Sequence, residues 1–573
     1  MPVHNSEIAE LFEELGDLLE IEGANPFRVR AYRNAARTIS GQSRSMRDLI
    51  HQGVDLSEYP DIGDDLAEKI RTIVETGKFP LLEEVRERIP SELSDLMKVK
   101  GLGPKRVKAL YHELGIRSAE DLKRVASSGR IADLEGFGEK TQSMILRRLE
   151  EKAQAEKRTP LFRAEEIAEP FLGYLQEVDG VNQVTIAGSY RRRKETVGDL
   201  DILVTARKGS SVMERFVGYD EVQEIVSQGE TRSTVRLRSG MQVDLRLLPE
   251  VSYGAALQYF TGSREHNIAV RRIAVDKGLK MNEYGVFRGD DRVAGKTEKE
   301  VYDTVGLPWF EPELRENRGE IEAALEDELP ELVTLDDIRG DLHSHTNATD
   351  GRQSLEEMAR AAAERGYEYL AITDHSQHVA MANGLDPDRL REQIEAIDAL
   401  NEELDDITLL KGIEVDILED GSLDLPDDVL ERLDLRVCSI HYQFDLSQEK
   451  QTRRILKAMD NPLFNILGHP TGRLIGRREP YPLDMEAILQ AAADRGCIVE
   501  LNANPNRLDL TDDACLLARE LGVKISIATD AHRADNFPFM RYGINQARRG
   551  WMRKEDVINT LSLNDLRPIL DRG

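Results

Sequence analysis

Cysteine and long apolar runs are scarce in this chain of 573 residues, and its basic residues are outnumbered by acidic ones. The three cysteines, Cys438, Cys497 and Cys515, are odd in number and widely spaced, which argues against a disulfide framework and indicates reduced thiols. No segment approaches the ~20 consecutive apolar residues of a membrane span. The first residues also lack the basic region and apolar run of a signal peptide. We therefore expect a soluble, cytoplasmic protein with no membrane partner.

The charge balance excludes a protein whose whole surface is coated with nucleic acid. The formal net charge is -29, whereas binding to phosphates requires local positive charge. Any track for nucleic acid must therefore be lined by local arginines and lysines. Between Glu311 and Asp337, 11 acidic residues outnumber 2 basic ones, and we interpret this stretch as part of a linker. The chain length predicts about three to five domains.

Two aspartates one residue apart give the first indication of chemistry. Asp199 and Asp201 lie on a predicted strand, where alternate residues point to the same side. Just upstream, the sequence GSYRRR at 188–193 offers backbone N–H groups, a hydroxyl and guanidinium groups that suit phosphate oxygens, while the carboxylates suit Mg²⁺. Asp244, on a later predicted strand, would complete a set sufficient for two metal ions. The alternatives are an acidic strand end on a solvated surface, and a salt bridge of Asp244 with Arg246 or a loop arginine.

Three similar segments between residues 60 and 141 share a Gly-apolar-Gly turn or a close variant of it. They are PDIGDDLA at 60–67, VKGLGPKRV at 99–107 and LEGFGEKT at 134–141. Such a turn directs backbone N–H groups and a helix N-terminus outwards, which suits a backbone phosphate without reading the base. The segments resemble the helix-hairpin-helix DNA-binding element. In the first copy Asp61 replaces the first glycine and two further aspartates follow the second. The expected DNA contacts therefore lie in the other copies, at Gly101, Gly103, Lys105, Gly136, Gly138 and Lys140.

Further motifs follow the third aspartate. The segment YFTGS occupies 259–263, and two polar residues, Asn267 and Arg271, come shortly after it. Together with GSYRR, the Gly-Asp-x-Asp motif and the later aspartate, these residues make 5–318 resemble a family X DNA polymerase. The resemblance implies a nucleotidyltransferase palm that binds two Mg²⁺ or Mn²⁺ ions. Its catalytic metal ligands would be Asp199, Asp201 and Asp244.

The same resemblance implies roles for the other motif residues. Ser189 and Arg192 would hold the triphosphate of an incoming dNTP, and an aromatic pair would wall its sugar. Arg193 departs from the pattern, because familiar animal members have glycine there, and the change bears on triphosphate contacts rather than on metal binding. The implied nucleotide-binding residues are Gly188, Ser189, Arg192, Gly198, Tyr259, Phe260, Gly262, Asn267 and Arg271.

Familiar family members carry a Schiff-base lysine in an N-terminal lyase domain, and Lys69 falls at that place. A lysine in its uncharged form attacks the aldehyde of an abasic sugar. The cation expected nearby for a 5′-phosphate is replaced here by Asp65. Lys69 is therefore either a lyase nucleophile or a solvated helical lysine.

From Arg339 onwards, short apolar strands alternate with helices, and six of seven predicted strands end in His, Asp or Glu. The helix predicted at 355–365 has Ser354 and Glu357 as a capping box and Gly366 as its end. In barrels of alternating strands and helices, the carboxyl ends of the strands converge on one face, where active sites lie. A lone buried histidine is more often structural, but histidines at successive strand ends indicate a multinuclear metal site.

Residues 339–573 resemble the PHP (polymerase and histidinol phosphatase) domain. That family holds three Mn²⁺, Zn²⁺ or similar ions and hydrolyses phosphoesters. Arg473, Arg477 and Arg478 follow the fifth strand and are expected to hold a DNA strand, unless they belong to a solvated loop. The nine metal-ligand positions of the family are filled here by His343, His345, Asp350, His375, Glu414, His441, His469, Asp530 and His532.

These observations predict a multidomain protein of mixed α+β and α/β class. A helical helix-hairpin-helix region would precede the polymerase palm, and a distorted (β/α)7 PHP barrel would end the chain. The expected order is a lyase-like domain at 1–80, a helix-hairpin-helix subdomain at 81–155, the palm at 156–250, a C-terminal polymerase subdomain at 251–318, an acidic linker at 319–338 and the PHP domain at 339–573.

The resemblance implies a DNA polymerase that fills short gaps in base excision repair, with a PHP domain that is a 3′–5′ exonuclease or 3′-end phosphoesterase. Two alternatives remain open. The PHP domain would act mainly as an abasic-site endonuclease or phosphatase, or the chain would be a DNA-end-binding scaffold whose catalysis is secondary. The expected partners are gapped or nicked DNA and dNTPs, and the expected state is a monomer.

Overall fold

The computed structural model describes residues 5–40, 46–51, 53–59, 61–76, 78–89, 93, 96, 102–134, 137–146 and 158–571. The chain forms two compact units, Met1–Lys157 with Gln377–Gly384, and Arg158–Ser376 with Leu385–Gly573. Gly101 and Gly136, two of the expected DNA contacts, lie outside the described residues. Within the described ranges, no helix is both long enough and apolar enough to cross a lipid bilayer.

The first unit is helical because its apolar residues recur at helical spacing. Ile8, Phe12, Leu15 and Leu19 are all buried on the first helix, and they join a hydrophobic core that continues to Ile145. Residues 139–146 are helical. The other helices of this unit are Asn5–Glu22, Pro26–Ser40, Met46–His51, Asp64–Thr76, Pro80–Arg88, Pro104–Leu114 and Ala119–Ser127.

The palm in the second unit is a five-stranded sheet. Its strands run in the order β2-β4-β7-β6-β5; β4 and β7 are parallel, the other neighbours are antiparallel, and β1 pairs with β3. Three helices accompany the sheet, Leu161–Gln176, Gly188–Arg191 and Val212–Val217. The strands are β1 Thr159–Pro160, β2 Val181–Ile186, β3 Thr196–Val197, β4 Asp199–Ala206, β5 Val222–Gln228, β6 Arg232–Leu237 and β7 Gln242–Leu248.

Alternation along β4 separates its two faces. Leu200, Ile202 and Val204 pack with the helices Leu161–Gln176 and Val212–Val217 in one hydrophobic cluster. On the opposite face, Leu203 packs with Tyr253 of the next helix. Asp201 is two residues from Leu203, so it belongs to this second face, towards the C-terminal polymerase subdomain.

The C-terminal polymerase subdomain packs helices against the three-stranded antiparallel sheet β8 Lys280–Asn282, β9 Gly285–Arg288 and β10 Asp291–Ala294. The stretch predicted as an acidic linker, 319–338, is folded over part of its length. Ile321 is buried in the core of this subdomain, and the carboxylate of Glu320 lies 2.7 Å from His266 Nδ1. The helices are Tyr253–Thr261, Arg264–Asp276, Glu298–Thr304 and Glu320–Leu325.

The C-terminal region is a barrel of seven parallel strands in sequential order, as the sequence predicted. A further parallel bridge between Ser344 and Ala531 brings the first and last strand ends together, so the barrel is nearly closed. The strands are β11 Gly340–Asp341, β12 Tyr369–Ile372, β13 Thr408–Asp416, β14 Leu435–Ser439, β15 Ile466–Leu467, β16 Ile498–Asn502 and β17 Ile525–Ala528.

Helices surround the barrel strands. The predicted capping box is confirmed, because Ser354 and Glu357 make both reciprocal hydrogen bonds at the start of the first of these helices. The helices are Leu355–Ala363, Pro387–Asn401, Asp427–Leu430, Gln448–Met459, Met485–Arg495, Asp512–Glu520, Met540–Arg549 and Leu563–Leu570.

Short 3-10 turns occur throughout the described chain, at Leu56–Glu58, Glu250–Ser252, Pro312–Leu314, Leu335–Asp337, Ala380–Ala382, Ala534–Phe539, Lys554–Asp556 and Ile558–Thr560.

The palm and the PHP barrel share an interface within the second unit. Leu508 and Tyr542 of the barrel are buried in the hydrophobic cluster of the palm. The Tyr542 hydroxyl and Arg541 Nη2 each donate to Glu165 of the palm at 2.8 Å. The helix Met540–Arg549 is therefore a structural element of both domains.

Two candidate active sites

The three palm carboxylates lie on the two parallel strands at the centre of the sheet. In the register of β4 and β7, Asp201 pairs with Asp244 and Asp199 pairs with Gln242. Asp199 and Asp201 project from the same face because side chains alternate along a strand. Asp244 accepts hydrogen bonds from Thr234 Oγ1 at 2.6 Å and Gln242 Nε2 at 3.0 Å. The fold thus brings together the carboxylates that the sequence singled out.

The electrostatics of these carboxylates fit a divalent cation. Burial, together with repulsion from Asp199 and Asp244, raises the pKa of Asp201 to about 6. Burial and the charge of Asp244 also raise the pKa of Asp199. Burial alone would raise the pKa of Asp244, but its hydrogen bonds and the charge of Arg232, 3.2 Å away, lower it. Mutually repelling carboxylates are the donor set that Mg²⁺ or Mn²⁺ takes, so the residues present fit such ions.

Gly188 lies directly against this cluster. Its φ is +65°, and a Cβ atom there would lie 3.1 Å from Asp201 Oδ2. The backbone N–H of Ala187 donates to the carbonyl of Asp201 at 2.8 Å. Both the backbone conformation and the close approach therefore require glycine. Gly198, on the other side, would meet Arg158 Nη1 at 3.3 Å.

The expected triphosphate residues, Ser189 and Arg192, line one cavity of about 440 Å³. Arg192 Nε pairs with Glu316 at 3.0 Å, and its Nη1 donates to the carbonyl of Thr261. This bond connects the triphosphate turn with the YFTGS segment. Arg193, where familiar animal members have glycine, has a left-handed φ of +55°.

The aromatic pair also lies beside the carboxylate strands. The rings of Tyr259 and Phe260 meet edge to face with centroids 5.1 Å apart. The Arg246 guanidinium lies 4.2 Å from the centroid of the Phe260 ring. Arg246 and Asp244 are two residues apart on β7, so they share a face.

Asn267 and Arg271 differ in accessibility. Asn267 is buried, and both ends of its amide are engaged: it accepts from Gln258 Nε2 at 2.8 Å and donates to the carbonyl of Tyr259 at 2.7 Å. Arg271 is exposed, and its Nε donates to the carbonyl of Asn267 at 3.3 Å. Asn267 therefore holds the Tyr259 segment in place, whereas Arg271 is open to solvent.

The nine predicted PHP ligands lie at the ends of barrel strands or in the loops that follow them. Described residues form three overlapping groups whose ligand atoms lie within 4.8 Å of one another. These are His345, Asp350, His375 and His532; His343, His345 and Asp530; and His375, Glu414 and His441. Glu414 is central, with its carboxylate oxygens 2.8–3.6 Å from five ring nitrogens, those of His343, His345, His375, His441 and His469.

Unpaired buried atoms show that this cluster fits metal ions. Within the described part of the chain, His343 Nε2, both ring nitrogens of His345 and His469 Nδ1 are buried and make no hydrogen bond. A buried polar atom without a partner is costly, and a cation would supply the missing interaction. Burial would lower the pKa of His441, but the charges of Glu414 and Asp416 raise it to about 9. Ions and protons therefore compete for these ligands.

Two carboxylates outside the nine predicted metal ligands orient histidines through their Nδ1 atoms. Glu500 Oε1 lies 2.6 Å from His343 Nδ1, and Asp416 Oδ1 lies 3.1 Å from His441 Nδ1. Such a partner fixes the ring and leaves Nε2 available to a metal. Neither role was predicted from the sequence. Asp416 is two residues after Glu414 on β13, and this spacing could have found it.

A cation also lies at the edge of this cluster. Arg507 Nε lies 3.5 Å from Asp530 Oδ2, and its buried Nη1 makes no hydrogen bond within the described residues. Of the loop arginines expected to hold DNA, Arg473 is buried and pairs with Glu195 of the palm at 2.6 Å. The Arg478 guanidinium stacks 4.5 Å from the Phe444 ring centroid, whereas Arg477 is exposed.

The second and third hairpin turns expose their described glycines, Gly103 and Gly138, whereas the apolar residues before them, Leu102 and Phe137, are buried. Gly103 precedes the helix Pro104–Leu114, and Gly138 precedes the helical residues 139–146. No described atom lies within 4 Å of the Cβ position of either glycine. Lys105 and Lys140 lie in the first turns of these helices and are exposed. The turns are therefore open to a phosphate backbone.

The first hairpin turn carries the two departures seen in the sequence. Asp61, in the place of glycine, has a left-handed φ of +62°. The Lys69 ammonium forms an ion pair with Asp65. The Lys69 side chain is therefore engaged by a carboxylate of its own helix in this structure.

Comparison with known proteins follows the same division of the chain. Five family descriptions match it: a helix-hairpin-helix domain at 3–79, a SAM-like helix-hairpin-helix tandem at 93–151, the DNA polymerase beta palm at 158–244, the DNA polymerase beta thumb at 256–316 and the PHP domain at 341–504. The chain is 38% identical over 575 residues to the DNA polymerase/3'-5' exonuclease PolX of Bacillus subtilis, and the match covers 100% of both chains. It belongs to the family X DNA polymerases that carry a PHP domain.

Two other relatives each match only part of this family X polymerase. DNA polymerase lambda of Rattus norvegicus is 27% identical over 343 residues, which are 55% of this chain and 56% of that protein. A probable phosphatase of Thermoanaerobacter sp. is 30% identical over 231 residues, 38% of this chain and 89% of that protein.

Proposed function

We propose that this chain is a DNA-directed DNA polymerase that fills short gaps, and that its PHP domain is a 3′–5′ exonuclease acting on 3′ ends. The observation that carries the proposal is the presence of two ligand clusters of different chemistry in one chain. The palm offers three carboxylates, whereas the barrel offers six histidines with three carboxylates. The full-length similarity to the Bacillus subtilis DNA polymerase/3'-5' exonuclease supports it.

In the palm, Asp199, Asp201 and Asp244 would hold two Mg²⁺ or Mn²⁺ ions. Such ions, when bound, favour deprotonation of the primer 3′ hydroxyl and stabilise charge on the triphosphate. Ser189 and Arg192 bind the triphosphate oxygens from the turn beside the carboxylates. Tyr259 and Phe260 wall the sugar, and Arg246 fixes the Phe260 ring by stacking on it.

In the barrel, the nine strand-end ligands would hold divalent ions, which we propose to be three Mn²⁺ or Zn²⁺ ions from the three overlapping groups. Such ions supply Lewis-acid charge that favours deprotonation of water and stabilises the phosphoryl oxygens. Glu500 and Asp416 orient His343 and His441 for this role. Arg507, whose Nη1 makes no hydrogen bond within the described residues, would add positive charge for the phosphate of the terminal nucleotide.

The proposal includes partners and a process. Gapped or nicked DNA would be gripped by the hairpin turns at Gly103, Lys105, Gly138 and Lys140, and dNTPs would bind the palm. The process would be base excision repair in the cytoplasm, with the protein acting as a monomer. The domain bounds that we propose are those expected from the sequence, except that Glu320 and Ile321 of the expected linker pack with the C-terminal polymerase subdomain.

A second candidate function concerns the barrel alone. The similarity of 38% of this chain to a probable phosphatase favours hydrolysis of small phosphate esters over removal of nucleotides from DNA. The two candidates differ in substrate size. They are separable by comparing the hydrolysis of DNA with that of a small ester.

One experiment tests both activities on the wild-type chain. A 5′-labelled primer that ends at a one-nucleotide gap is incubated with Mg²⁺ and the complementary dNTP, and separately with Mn²⁺ and no dNTP. We expect extension by one nucleotide in the first case and stepwise shortening in the second. p-Nitrophenyl phosphate and a duplex with an abasic site are included as competing substrates.

The results separate the candidates. Absence of extension would contradict the polymerase proposal. Faster turnover of p-nitrophenyl phosphate than of the DNA end would favour the phosphatase, and incision at the abasic site without shortening would favour an endonuclease.

A further inference from the structure

The turn expected to bind the triphosphate is held by a residue of the PHP domain. Arg549, at the end of the helix Met540–Arg549, has a side chain that is 3% exposed. Its Nη1 donates to the backbone carbonyl of Arg192 at 2.8 Å and to Glu316 Oε1 at 2.9 Å. Its Nη2 donates to Asp512 Oδ2 at 2.6 Å. A barrel arginine therefore contacts the palm turn directly.

Glu316 connects the two arginines. Its Oε1 accepts from Arg549 and also from Arg192 Nε at 3.0 Å. Burial alone would raise the pKa of Glu316, but the charges of Arg192 and Arg549 lower it, so this carboxylate is ionised. Arg192 is thus fixed from two sides, through its side chain by Glu316 and through its carbonyl by Arg549.

Arg549 is itself anchored within the interface. Asp512 accepts from Arg549 and lies 3.3 Å from Arg318 Nη2, which also donates to the carbonyl of Arg549 at 2.7 Å. The network borders the 440 Å³ cavity that Ser189 and Arg192 line. A guanidinium that is already oriented loses less conformational freedom when a phosphate arrives than one on a free side chain.

We propose that Arg549 is a positioning residue for nucleotidyl transfer. The PHP domain fixes Arg192 for the dNTP triphosphate through Glu316 and through the Arg192 carbonyl. Arg549 does not touch the nucleotide in this scheme; it acts through Arg192. The inference rests on the proposed polymerase function, since it assigns Arg192 to the triphosphate.

The test uses full-length variants and single-nucleotide incorporation on gapped DNA. In Arg549→Ala we expect the KM for dNTP to rise roughly tenfold, the effect of one lost charge-assisted hydrogen bond, with kcat nearly unchanged. In Arg549→Lys the rise is smaller, because a lysine keeps the charge but not the fork of donors. Exonuclease activity without dNTP stays at the wild-type level in both.

Arg548→Ala is the matched control. Arg548 is the neighbouring residue on the same helix and pairs with Glu313 at 2.9 Å, but it makes no contact with Arg192 among the described residues. We expect this variant to keep the wild-type KM. Equal KM values in the Arg548 and Arg549 variants would overturn the proposal. So would a fall of kcat and exonuclease activity together in the Arg549 variants, which is the pattern of a structural role.

Glu316→Gln keeps the test decisive if Arg549→Ala does not fold. This variant removes the negative charge that pairs with both Arg192 and Arg549, so its KM for dNTP rises as well. In the double variant with Arg549→Lys, the KM rises little further. Fully additive effects would overturn the proposal. Absence of extension by the wild type would overturn the polymerase function itself. Wild-type extension with unchanged variant KM values would overturn the positioning role alone.

Discussion

The palm and the barrel each collect charge to act on phosphate, but they do so with different ligands. The palm site consists of carboxylates on two strands, and Asp199 is exposed there. The barrel site collects histidines and carboxylates around Glu414, and His343 and His345 are fully buried. The palm site thus exposes one of its carboxylates to solvent, whereas the two barrel histidines are enclosed by protein. Oxygen ligands suit Mg²⁺, and imidazole suits Zn²⁺ and similar ions.

The first prediction concerns Glu414, at the centre of the barrel site. Glu414→Gln removes the negative charge that lies beside five histidines, so the metal content of the protein falls. Exonuclease activity drops at least ~100-fold, because loss of a residue that merely orients a metal ligand already costs up to about that much. Extension stays at the wild-type level. Elemental analysis and both DNA assays measure the effect. Glu395→Gln, on an exposed helix face, is the control; equal effects of the two would contradict the central role of Glu414.

The second prediction compares the metals of the two sites. Protein stripped with a chelator and returned to Mg²⁺ alone recovers extension almost fully, whereas exonuclease activity stays roughly tenfold or more below its starting level until Mn²⁺ or Zn²⁺ is added. The difference follows from oxygen ligands in the palm and imidazole ligands in the barrel. Rates of both reactions are measured against added metal. Full recovery of both activities with Mg²⁺ would remove this distinction.

The third prediction concerns pH. The pKa of Asp201 is raised to about 6, so its proton competes with Mg²⁺ below that pH and extension falls about tenfold per pH unit. In the metal-free protein, the raised pKa means that protonated Asp201 stabilises the folded state. This stabilisation is complete below the unfolded pKa of about 3.9 and is lost as the pH rises through about 6. Mg²⁺ should therefore raise the Tm more at pH 7 than at pH 5. A rate of primer extension that does not change between pH 7 and pH 5 would contradict this prediction.

The fourth prediction is the smallest and is common to both sites. Lys105→Ala and Lys140→Ala each weaken DNA binding a few-fold and reduce the slope of log affinity against log salt by about 0.9, the value for one phosphate contact. Fluorescence anisotropy with a gapped duplex measures both quantities. Lys123→Ala, an exposed lysine outside the turns, should change neither. An unchanged slope in the turn variants would exclude these lysines from the DNA path.

Local patterns in the sequence predicted most of the fold and both ligand clusters. Strand alternation placed Asp199 and Asp201 on one face, and seven short strands predicted the barrel with its ligands at the strand ends. These features depend on neighbours along the chain, or on a rule that applies to every strand of a parallel barrel. They can therefore be predicted from the sequence alone.

Features that depend on distant pairs were not predictable. Arg549 and Glu316 are 233 residues apart, and Glu500 and His343 are 157 apart, so no local spacing reveals either contact. Arg473 and its partner Glu195 are 278 residues apart, so local spacing does not reveal that contact either. The expected DNA contact of Arg473 stays a prediction. So does the expected nucleotide contact of Asn267, whose amide is engaged by Gln258 and the Tyr259 carbonyl.

We expect one chain to hold two separable centres of opposite effect on a DNA 3′ end. The most direct test of this expectation measures extension and shortening of one labelled gapped primer by Asp201→Asn and His345→Ala. We expect Asp201→Asn to lose extension by roughly 1,000-fold, equivalent to several kcal/mol of charge stabilisation, while it retains shortening. His345→Ala should lose shortening while it retains extension. Loss of both activities in either variant would contradict the account.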